Sequence, residues 1–412
     1  MMNWIIWIVS FVSLYIGVFW LHVVFFKEEP RKVLSEKFPN VSVVVPARNE
    51  EKGLWKTVHS IAMSDYPKEK IQIVIVNHGS IDKTEKVANK LIRCFSEHNI
   101  KLVNMKHEKG HMKSHAFNEG LKFATGKYVA CVDADSIVME DAIRGIIPFF
   151  DDKDVGAVIS TIKVTKPTNI YEKLQHLEYM FATFTRTLMS KIDTLHISQG
   201  ALSIYRKDLL DKFGGFDEGN FTEDLEIAMR LRYKGHKIKI AKECVSFTKV
   251  PDSFKMLWGQ RVRWFRGFLY NTNKYKGMVM NKKYGLLGTF QYPLNILSVV
   301  TVLLMFSLLS YALIKKAIYF VDKFAIVGMD YFAWTWPSIK DIILSLNVTL
   351  LFPIAISFGV ALFIYHQAHK NLKERWRYPE ALVVYLTLYP FVRGMHWMTA
   401  FYKEVIRAKK KW

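Results

Sequence analysis

The sequence predicts an α/β domain with a mostly parallel sheet, inserted between apolar segments that are long enough to cross a membrane. In the polar middle of the chain, short β-branched runs alternate with amphipathic stretches. Uncharged strands that alternate with helices are typical of a parallel sheet covered on both faces. Near both ends of the chain, uncharged apolar runs are longer than the helices of a soluble core require.

The first apolar segment, Trp4–Phe26, contains no formal charge. At about 1.5 Å per residue it can cross a hydrocarbon layer of roughly 30 Å. A cleaved signal peptide is disfavoured, because no basic segment precedes the run and no A-x-A site follows it. Lys27, Arg31, Lys32 and Lys37 come directly after it. The positive-inside rule therefore places the N-terminus outside and the following segment in the cytoplasm.

Residues 38–250 carry the alternating pattern of the α/β domain. The predicted strands are Val41–Pro46, Gln72–Val76, Lys101–Met105 and Tyr128–Val132. The predicted helices between them are Glu50–Met63, Thr84–Ser96 and Ser114–Ala124. Ligands of such sheets bind beyond the carboxyl ends of the strands, so polar residues at those ends are candidates for a site.

The last third of the chain is apolar again. Three further candidate spans are Leu286–Ile314, Ile342–Tyr365 and Ala381–Tyr402. With four spans, the basic tail Lys403–Trp412 would lie outside, although basic residues prefer the cytoplasm. Three explanations stay open: the last segment is re-entrant, Ala317–Trp336 is an extra span, or the positive-inside rule does not hold here.

Composition excludes several classes of protein. Of the 412 residues 50% are apolar, which excludes disorder as the main state. Cys94, Cys131 and Cys244 are too few for a disulfide scaffold, and their place in the polar middle indicates a reducing compartment. The formal net charge of +21 suits anionic lipid or a phosphorylated substrate. Nucleic-acid binding is set aside, because the charge is spread along the chain and no such module is recognisable.

Two carboxylates, Asp133 and Asp135, follow the fourth predicted strand. A pair at i and i+2 can share one hard cation, since Mg²⁺ and Mn²⁺ take one or two carboxylates together with phosphate oxygens of a substrate. The alternative is a turn after the strand, where Asp is common.

A second acidic pair, Glu223 and Asp224, opens a predicted helix over Leu225–Tyr233. Thr222 before it is a good N-cap, and acidic residues suit the first helical turn, so capping is one interpretation. The functional interpretation is a carboxylate that the helix dipole keeps ionised and that takes a proton from a hydroxyl group.

Gln260, Arg263 and Trp264 lie at i, i+3 and i+4, on one face of a predicted helix. Arginine can bind a diphosphate through two parallel hydrogen bonds, and tryptophan offers a flat apolar face to a sugar ring. The alternative is an interfacial helix without a site, because the other face is apolar. That face carries Phe254, Leu257, Trp258, Phe265 and Phe268.

The first two predicted strands end in polar loops, VVVPARNE and VIVNHGSID. Their polar side chains could surround a nucleotide base and ribose, although each taken singly is most often a turn or cap residue. These side chains are Asn49, Asn77, His78, Ser80 and Asp82. Lys113 and Asn118 would reach the same place from the third predicted helix.

Taken in order, these motifs resemble those of the membrane-embedded, processive family 2 glycosyltransferases. That group includes the cellulose, chitin, hyaluronan and bacterial poly-N-acetylglucosamine synthases, and the single N-terminal span and the length are most similar to the last. The motifs are P-A-R-N-E, N-H-G-S-x-D, G-H-M-K-S-H-A-F-N-E-G, D-A-D, S-Q-G-A, T-E-D and Q-R-V-R-W. The resemblance implies a Rossmann-like domain of the GT-A type, on the cytoplasmic side of a multi-pass cell-membrane protein.

The resemblance also implies an inverting transfer of a sugar, N-acetylglucosamine, from a UDP-sugar to a growing β-linked polysaccharide. Asp224, with Glu223 beside it, would deprotonate the acceptor hydroxyl, and Asp135 with Asp133 would hold Mg²⁺ or Mn²⁺. The residues implied to bind the nucleotide sugar are Pro46, Ala47, Asn49, Glu50, Asn77, His78, Lys113, Asp133 and Arg263. The residues implied to bind the acceptor are Ser198, Gln199, Gly200, Gln260 and Trp264.

One position departs from the family pattern. His78 stands where the family usually has Asp, close to the uracil base. A carboxylate accepts hydrogen bonds, whereas neutral His offers one donor and one acceptor, so base preference or affinity is in question.

Three functions stay open at this point. The first is a processive synthase that also extrudes its polymer through the membrane, with lipids and a small membrane subunit as partners. The second is a membrane glycosyltransferase that adds one or a few sugars to a lipid, with Arg393 and His396 near the head group. The third is a decayed transferase, marked by His78, that acts as a subunit. The domains we predict are 1–37 (first span and linker), 38–250 (glycosyltransferase domain), 251–283 (interfacial helices with the Q-x-x-R-W motif) and 284–412 (membrane region).

Overall fold

The structure is a computed structural model, and it describes residues 2–26, 34, 36–106, 108, 110, 112–332, 348–374 and 377–408. Its centre is one eight-stranded sheet in the order β3-β2-β1-β4-β7-β6-β8-β5. The strands are β1 (Val41–Ala47), β2 (Ile71–His78), β3 (Asn99–Met105), β4 (Tyr128–Cys131), β5 (Ile137–Val138), β6 (Val155–Val164), β7 (Ser203–Arg206) and β8 (Lys237–Thr248).

The sheet is mixed, which corrects the prediction of a mostly parallel one. Strands β3, β2, β1 and β4 are parallel, as the alternating pattern indicates. Strand β7 is antiparallel to both β4 and β6, and β5 is antiparallel to β8. The reason lies in the chain path: Ser203 at the start of β7 pairs with Cys131 at the end of β4, so the chain re-enters the sheet from its carboxyl edge.

Helices cover both faces of the sheet, as expected for buried strands. Val43 and Val45 of β1 pack on one side with Leu54, whereas Val44 packs on the other side with Phe117. The helices of this part of the chain are α2 (Leu54–Ala62), α3 (Thr84–Cys94), α4 (Lys113–Leu121), α5 (Ala142–Ile146), α6 (Ile170–Lys191), α7 (Lys207–Lys212), α8 (Glu223–Tyr233) and α9 (Phe254–Lys274).

Apolar helices flank this α/β unit at both ends of the chain. They are α1 (Met2–Val24), α10 (Tyr292–Val327), α11 (Val348–Leu372), α12 (Pro379–Thr387) and α13 (Tyr389–Val405). Within the described residues, one helical stretch, Leu287–Asp330, is long and apolar enough to cross a membrane, and Ser10–Val24 is a shorter apolar helix. Residues 317–327 continue α10 rather than starting a new helix, while 333–336 and 342–347 lie outside the described residues.

The last predicted span, Ala381–Tyr402, is not one helix. Helix α12 ends before Leu388, and Pro390 lies at the start of α13, where its missing N–H breaks no helical hydrogen bond. Helix α13 packs along α9, with the Trp397 ring stacked on Phe265 at 4.1 Å between centroids. Protein therefore covers much of the apolar face of α9, which the sequence alone assigned to the membrane surface.

Candidate active site

The two acidic motifs and the S-Q-G loop meet at the carboxyl edge of the parallel strands. The backbone N–H of Asp133 donates to the carbonyl of Gly200 at 3.1 Å. A Cβ on Gly200 would lie 2.5 Å from Asp133 Oδ2, closer than real side chains approach. Only glycine therefore lets the loop before β7 press against the Asp133 carboxylate.

Lys113 links the two acidic motifs from the first turn of α4. Its ammonium group donates to Asp133 Oδ1 and lies 3.9 Å from Glu223 Oε1. The pKa of Lys113 is raised: burial alone would lower it, but the carboxylates of Asp133 and Glu223 outweigh burial. Burial raises the pKa of Glu223 to about 7, with the Lys113 charge opposing the rise. The sequence did not predict this bridge, because α4 and α8 are far apart in the chain.

The carboxylates of Asp133 and Glu50 lie close enough to Asp135 for their charges to interact. Burial raises the pKa of Asp135, and the charge of Asp133 raises it further. Burial also raises the pKa of Glu50 to about 7, and Asp135 is the largest electrostatic contributor. Thr57 Oγ1 donates to the Ala134 carbonyl at 2.8 Å and fixes the turn between the two aspartates. Negative charge is therefore in excess here, which suits a bound cation.

Asp133 and Asp135 suit a metal ion whose remaining ligands come from a bound substrate. Within the described residues, no group of three or more His, Cys, Asp or Glu side chains is arranged to hold an ion by itself. Mg²⁺ and Mn²⁺ commonly need only one or two carboxylates when phosphate oxygens complete the shell. Asp133 and Asp135 match that ligand set.

Asp224 lies at the N-terminus of α8 and is held through its backbone. Its carbonyl accepts from Ser198 Oγ at 2.5 Å, and Ser198 Oγ in turn accepts from Tyr205 Oη at 2.8 Å. One carboxylate oxygen, Oδ1, accepts from the Leu225 N–H at 2.8 Å. Burial raises the pKa of Asp224, and the charge of Lys113 opposes the rise.

Thr222 occupies the N-cap position of α8, as the sequence predicts, but its side chain does not cap the helix. Its hydroxyl caps no N–H of α8 and instead accepts from Asn271 Nδ2 of α9 at 3.1 Å. Asn220 binds the same amide, so α8 and α9 are joined by a buried polar cluster at this point. The Thr222 hydroxyl is engaged there, so the first-turn N–H of Leu225 is bound by the Asp224 carboxylate instead.

The loops that follow β1 and β2 lie next to each other, and hydrogen bonds between residues of these two loops hold them together. Asn49 has a left-handed backbone (φ 57°), and its Oδ1 accepts from the Ile81 N–H at 2.9 Å. Asn77 Oδ1 accepts from the Ser80 N–H at 3.2 Å, and Asp82 Oδ1 accepts from the Thr84 N–H at 2.9 Å. Pro46, Ala47 and His78 are buried at the ends of β1 and β2.

Asn118 does not reach this place. Its amide braces the loop before α8, donating to the Phe216 carbonyl and to Glu218, each at 2.8 Å. The third predicted helix thus contributes Lys113 to the candidate site, and Asn118 supports a neighbouring loop.

Helix α9 carries the Q-x-x-R-W residues and is joined by Asn271 to Thr222, the residue before α8. The positive charge of Arg263 counteracts the rise in pKa of both Glu223 and Asp224. Arg261, between the motif residues, donates to Gln260 Oε1, and its guanidinium lies 4.2 Å from the Trp264 ring centroid. Sequence reasoning did not single out Arg261.

Sequence reasoning also missed α6. Tyr179 on this helix lies 6.5 Å from Trp264 between ring centroids, and Arg186 Nη1 donates to Gln199 Oε1 at 2.6 Å. A capping box of Asn169 and Glu172 marks the start of α6 and was a readable signal for the helix. No signal in the sequence shows which of its residues face the site, because their partners are distant in the chain.

His396 does not face a lipid head group, which corrects that prediction. Its side chain is fully buried, with its ring 4.5 Å from that of Trp258 and 6.3 Å from that of Phe265. The packing of α13 on α9 encloses it among aromatic side chains. Arg393, one turn earlier, remains exposed.

Comparisons with known proteins agree with this architecture. Residues 39–267, more than half of the chain, match the family described as Glycosyltransferase like family 2. The chain is 28% identical over 276 residues to the poly-β-1,6-N-acetyl-D-glucosamine synthase of Staphylococcus epidermidis, which covers 64% of this chain and 65% of that protein. It is 29% identical over 274 residues to the Staphylococcus aureus (strain COL) protein of the same name, with coverages of 62% and 64%. The chain thus spans just under two thirds of the length of these relatives.

A solved structure extends the likeness to the whole chain. The mannosyltransferase PcManGT from Pyrobaculum calidifontis, solved in complex with GDP-Man and Mn²⁺, aligns with a TM-score of 0.65. The alignment covers 99% of this chain and 100% of that one at 18% identity, so it shows a shared fold and no more. The match of the family over the α/β unit is the stronger finding, and by it this chain belongs to glycosyltransferase-like family 2.

Proposed function

We propose that the chain is an inverting membrane glycosyltransferase that transfers N-acetylglucosamine from a UDP-sugar to a growing β-linked polysaccharide. The observation that carries the proposal is the Lys113 bridge, which joins the D-A-D motif to the T-E-D motif in one partly enclosed site. The similarity to the staphylococcal poly-β-1,6-N-acetyl-D-glucosamine synthases supports this choice of sugar and product.

Asp224 is the proposed general base. The acceptor hydroxyl gives its proton to the Asp224 carboxylate while its oxygen attacks the anomeric carbon, and the bond from that carbon to the diphosphate oxygen breaks. Burial makes Asp224 a stronger base than an exposed aspartate, and Lys113 favours its ionised form. A single displacement of this kind inverts the anomeric configuration and needs no covalent enzyme intermediate.

The donor diphosphate is assigned to the cationic side of the site. The positive charges of Lys113 and Arg263 both act on Glu223, and either side chain can pair with phosphate oxygens. Asp133 and Asp135 would hold Mg²⁺ or Mn²⁺, which would neutralise charge on the departing diphosphate. The nucleoside is assigned to the β1 and β2 ends, where Asn49 and Asn77 order the loops.

The acceptor is assigned to the side formed by the S-Q-G loop, Gln260 and Trp264. We extend the proposal to a multi-pass membrane protein whose catalytic domain faces the cytoplasm and whose apolar helices pass the polymer outward. The alternative, transfer of one or a few sugars to a lipid, needs the same donor and base residues. It loses one of its supports, since the buried His396 does not meet a head group.

The experiment measures incorporation of label from UDP-sugars, one at a time, by membranes that contain the full chain. UDP-N-acetylglucosamine is the expected donor, with Mg²⁺ or Mn²⁺ present. Asp224→Asn should lower the rate by about 10²-fold or more, because general base catalysis contributes that much. Asp252→Asn is the matched control: the side chain is exposed, and only its backbone carbonyl accepts a hydrogen bond in the described part of the chain, from Asn169.

The products are separated into high-mass polymer and solvent-extractable lipid. Polymer that depends on Asp224 supports the synthase. Label in lipid that depends on Asp224 replaces it with the second function. An Asp224→Asn variant with more than a tenth of the normal rate refutes the base assignment, and no incorporation from any UDP-sugar refutes the donor assignment.

A further inference from the structure

A chain of polar side chains joins the start of the apolar helix α10 to the loop before Ser198. His196 in that loop is buried, and its Nδ1 lies 2.9 Å from the carbonyl oxygen of Thr194. Because a carbonyl oxygen only accepts, Nδ1 carries the proton and Nε2 of the neutral ring is an acceptor. Asn295 Nδ2 of α10 donates to this Nε2 at 3.0 Å. Neither His196 nor Asn295 belongs to one of the sequence motifs.

Gln291 completes the network from the turn that leads into α10. Its buried amide donates from Nε2 to Asn295 Oδ1 at 2.8 Å, which fixes the other amide atom of Asn295 as the donor to His196. This turn, Leu287–Gln291, is a π-helical one, a geometry that is rare and often found at functional sites. Polar side chains at the end of a membrane helix are costly unless they have partners or a function. These two amides are spent on one contact with the catalytic domain.

The loop that His196 holds continues directly to the proposed base. Ser198, two residues further on, donates its hydroxyl to the Asp224 carbonyl at 2.5 Å. Packing adds a second connection, since Leu225, which follows Asp224, lies in one buried apolar cluster with Tyr292 of α10. The start of α10 is therefore connected to the backbone of the base by hydrogen bonds on one side and by apolar packing on the other.

The part of the same loop that touches the metal-side carboxylates is anchored separately. Gln199 donates from Nε2 to the Ser160 carbonyl, and its backbone N–H donates to Ser203 Oγ at 3.2 Å. These contacts do not involve α10. Gly200 follows and packs against the Asp133 carboxylate. Release of the loop from α10 should therefore displace the base more than it displaces Asp133.

We propose that His196 is a positioning residue: by accepting a hydrogen bond from Asn295, it fixes the backbone of the proposed base Asp224 relative to α10. This rests on the proposed function, because it concerns the general base of the transfer. The Asp224 carboxylate must lie within hydrogen-bond reach of the acceptor hydroxyl, so a small displacement lowers kcat without weakening the binding of the donor. The apolar helix α10 thus takes part in holding the geometry of the chemical step.

The test measures steady-state transfer by the full-length chain in lipid vesicles, with UDP-N-acetylglucosamine and Mn²⁺. His196→Leu and Asn295→Leu each remove one partner of the hydrogen bond, and each should lower kcat by about tenfold or more. The KM for the donor should stay within about twofold of the wild-type value, because the lost interaction does not bind the donor. His196→Gln should recover most of kcat, since a glutamine Oε1 at this position can accept from Asn295 in place of Nε2.

Thr289→Val is the matched control, because it removes a hydroxyl from the same turn whose hydrogen bond, to the Gly285 carbonyl at 2.9 Å, does not reach the catalytic domain. Its kcat should equal that of the wild type. Calorimetric binding of UDP with Mn²⁺ reports whether the donor side of each variant is intact, and its Kd should be unchanged.

Three results overturn the proposal while the wild type is active. They are an unchanged kcat in Asn295→Leu, a His196→Gln variant no more active than His196→Leu, and loss of UDP binding together with kcat, which would indicate a general structural role. Absence of transfer by the wild type instead overturns the proposed function.

Discussion

Glu50 is a side chain of the candidate site whose protonation changes near neutral pH. Burial and Asp135 raise its pKa to about 7 in the folded chain. A carboxyl group whose folded pKa lies above its unfolded value stabilises the fold fully at low pH, and this contribution is lost as pH rises through the window from about 4.5 to 7. Above that window the ionised carboxylates repel one another, and a divalent cation would relieve the repulsion.

We therefore expect Glu50→Gln to stabilise the metal-free chain at pH 8 and to have little effect near pH 5. The gain should be about 1 kcal/mol, since the side chain is half-buried and solvent screens its charge. Thermal unfolding of the wild type and the variant in chelator at both pH values measures it. Addition of Mn²⁺ should raise the wild-type Tm more at pH 8 than at pH 6, and equal stabilisation at both would contradict a proton–metal competition.

Gly200 is a second residue where geometry gives a sharp expectation. A methyl group there would meet both Asp133 carboxylate oxygens, at 2.5 and 2.7 Å, so Gly200→Ala must displace Asp133 or the loop. We expect kcat to fall by about 10²-fold, because small displacements of catalytic groups have effects of that size. Gly259→Ala is the matched control, since a Cβ there has no neighbour within 4 Å. Equal rates for the two variants would show that Asp133 tolerates displacement.

Sequence reasoning singled out residues of the candidate site whose chemistry is readable locally, and missed those whose contacts come from distant parts of the chain. Asp133, Lys113 and Glu223 were all singled out, and the structure places them in contact. Arg186 and Arg261 were missed because their roles depend on partners from other elements. Thr222 is the N-cap residue, as predicted, but its hydroxyl accepts a hydrogen bond from α9 instead of capping α8, and local capping rules do not include such tertiary partners.

At the scale of elements, hydrogen bonds join both α6 and α13 to the network around α9, the helix that carries the Q-x-x-R-W motif. Arg261 of α9 is almost fully buried and donates twice to Glu178 Oε2 of α6, at 2.6 and 3.1 Å. Tyr389 Oη of α13 donates to the same oxygen at 3.0 Å. Because Arg261 also donates to Gln260 and lies over Trp264, this network positions both motif residues.

We expect Tyr389→Phe to raise the KM for the acceptor several-fold while the KM for the donor changes little. The variant removes one hydrogen bond to an ionised carboxylate, which contributes about 1.5–3 kcal/mol, and Arg261 still pairs with Glu178, so we expect the chain to fold. Tyr385→Phe is the matched control, because the Tyr385 hydroxyl makes no hydrogen bond in the described part of the chain and its ring still stacks on Phe181. Steady-state kinetics with both substrates separates the effects. Equal changes in both KM values would indicate a general loss of structure instead.

Elements with strong local patterns were predicted well. The four strands and three helices of the first half were placed within a few residues, since period-2 and period-3.6 patterns are local. The antiparallel direction of β7 was missed, because it follows from where the chain returns after α6. The break in Ala381–Tyr402 had a visible cause in Pro390, but a proline can also kink a continuous helix.

At the scale of the whole molecule, the contacts of the last helix limit where the chain can end relative to the glycosyltransferase domain. Arg266 of α9 donates to Glu404 at 2.6 Å and to the Ala408 carbonyl at 2.8 Å. The end of the described chain is thus tied to the helix that carries the Q-x-x-R-W motif. The sequence left the side of the tail open because apolar length alone does not distinguish a crossing helix from one that packs on protein.

We predict that the C-terminus lies on the same side as the glycosyltransferase domain, the cytoplasmic side. Helices α12 and α13 are then re-entrant or interfacial, and the basic residues Lys403 and Arg407 obey the positive-inside rule. A fluorescent protein that folds only in the cytoplasm, fused after the last residue, should fluoresce, and an alkaline phosphatase fused there should be inactive. The same two reporters after residue 330, beyond the long apolar helix, should give the opposite pair of results. Phosphatase activity at the C-terminus would require α12 and α13 to cross the membrane, and the Arg266–Glu404 ion pair could then not form.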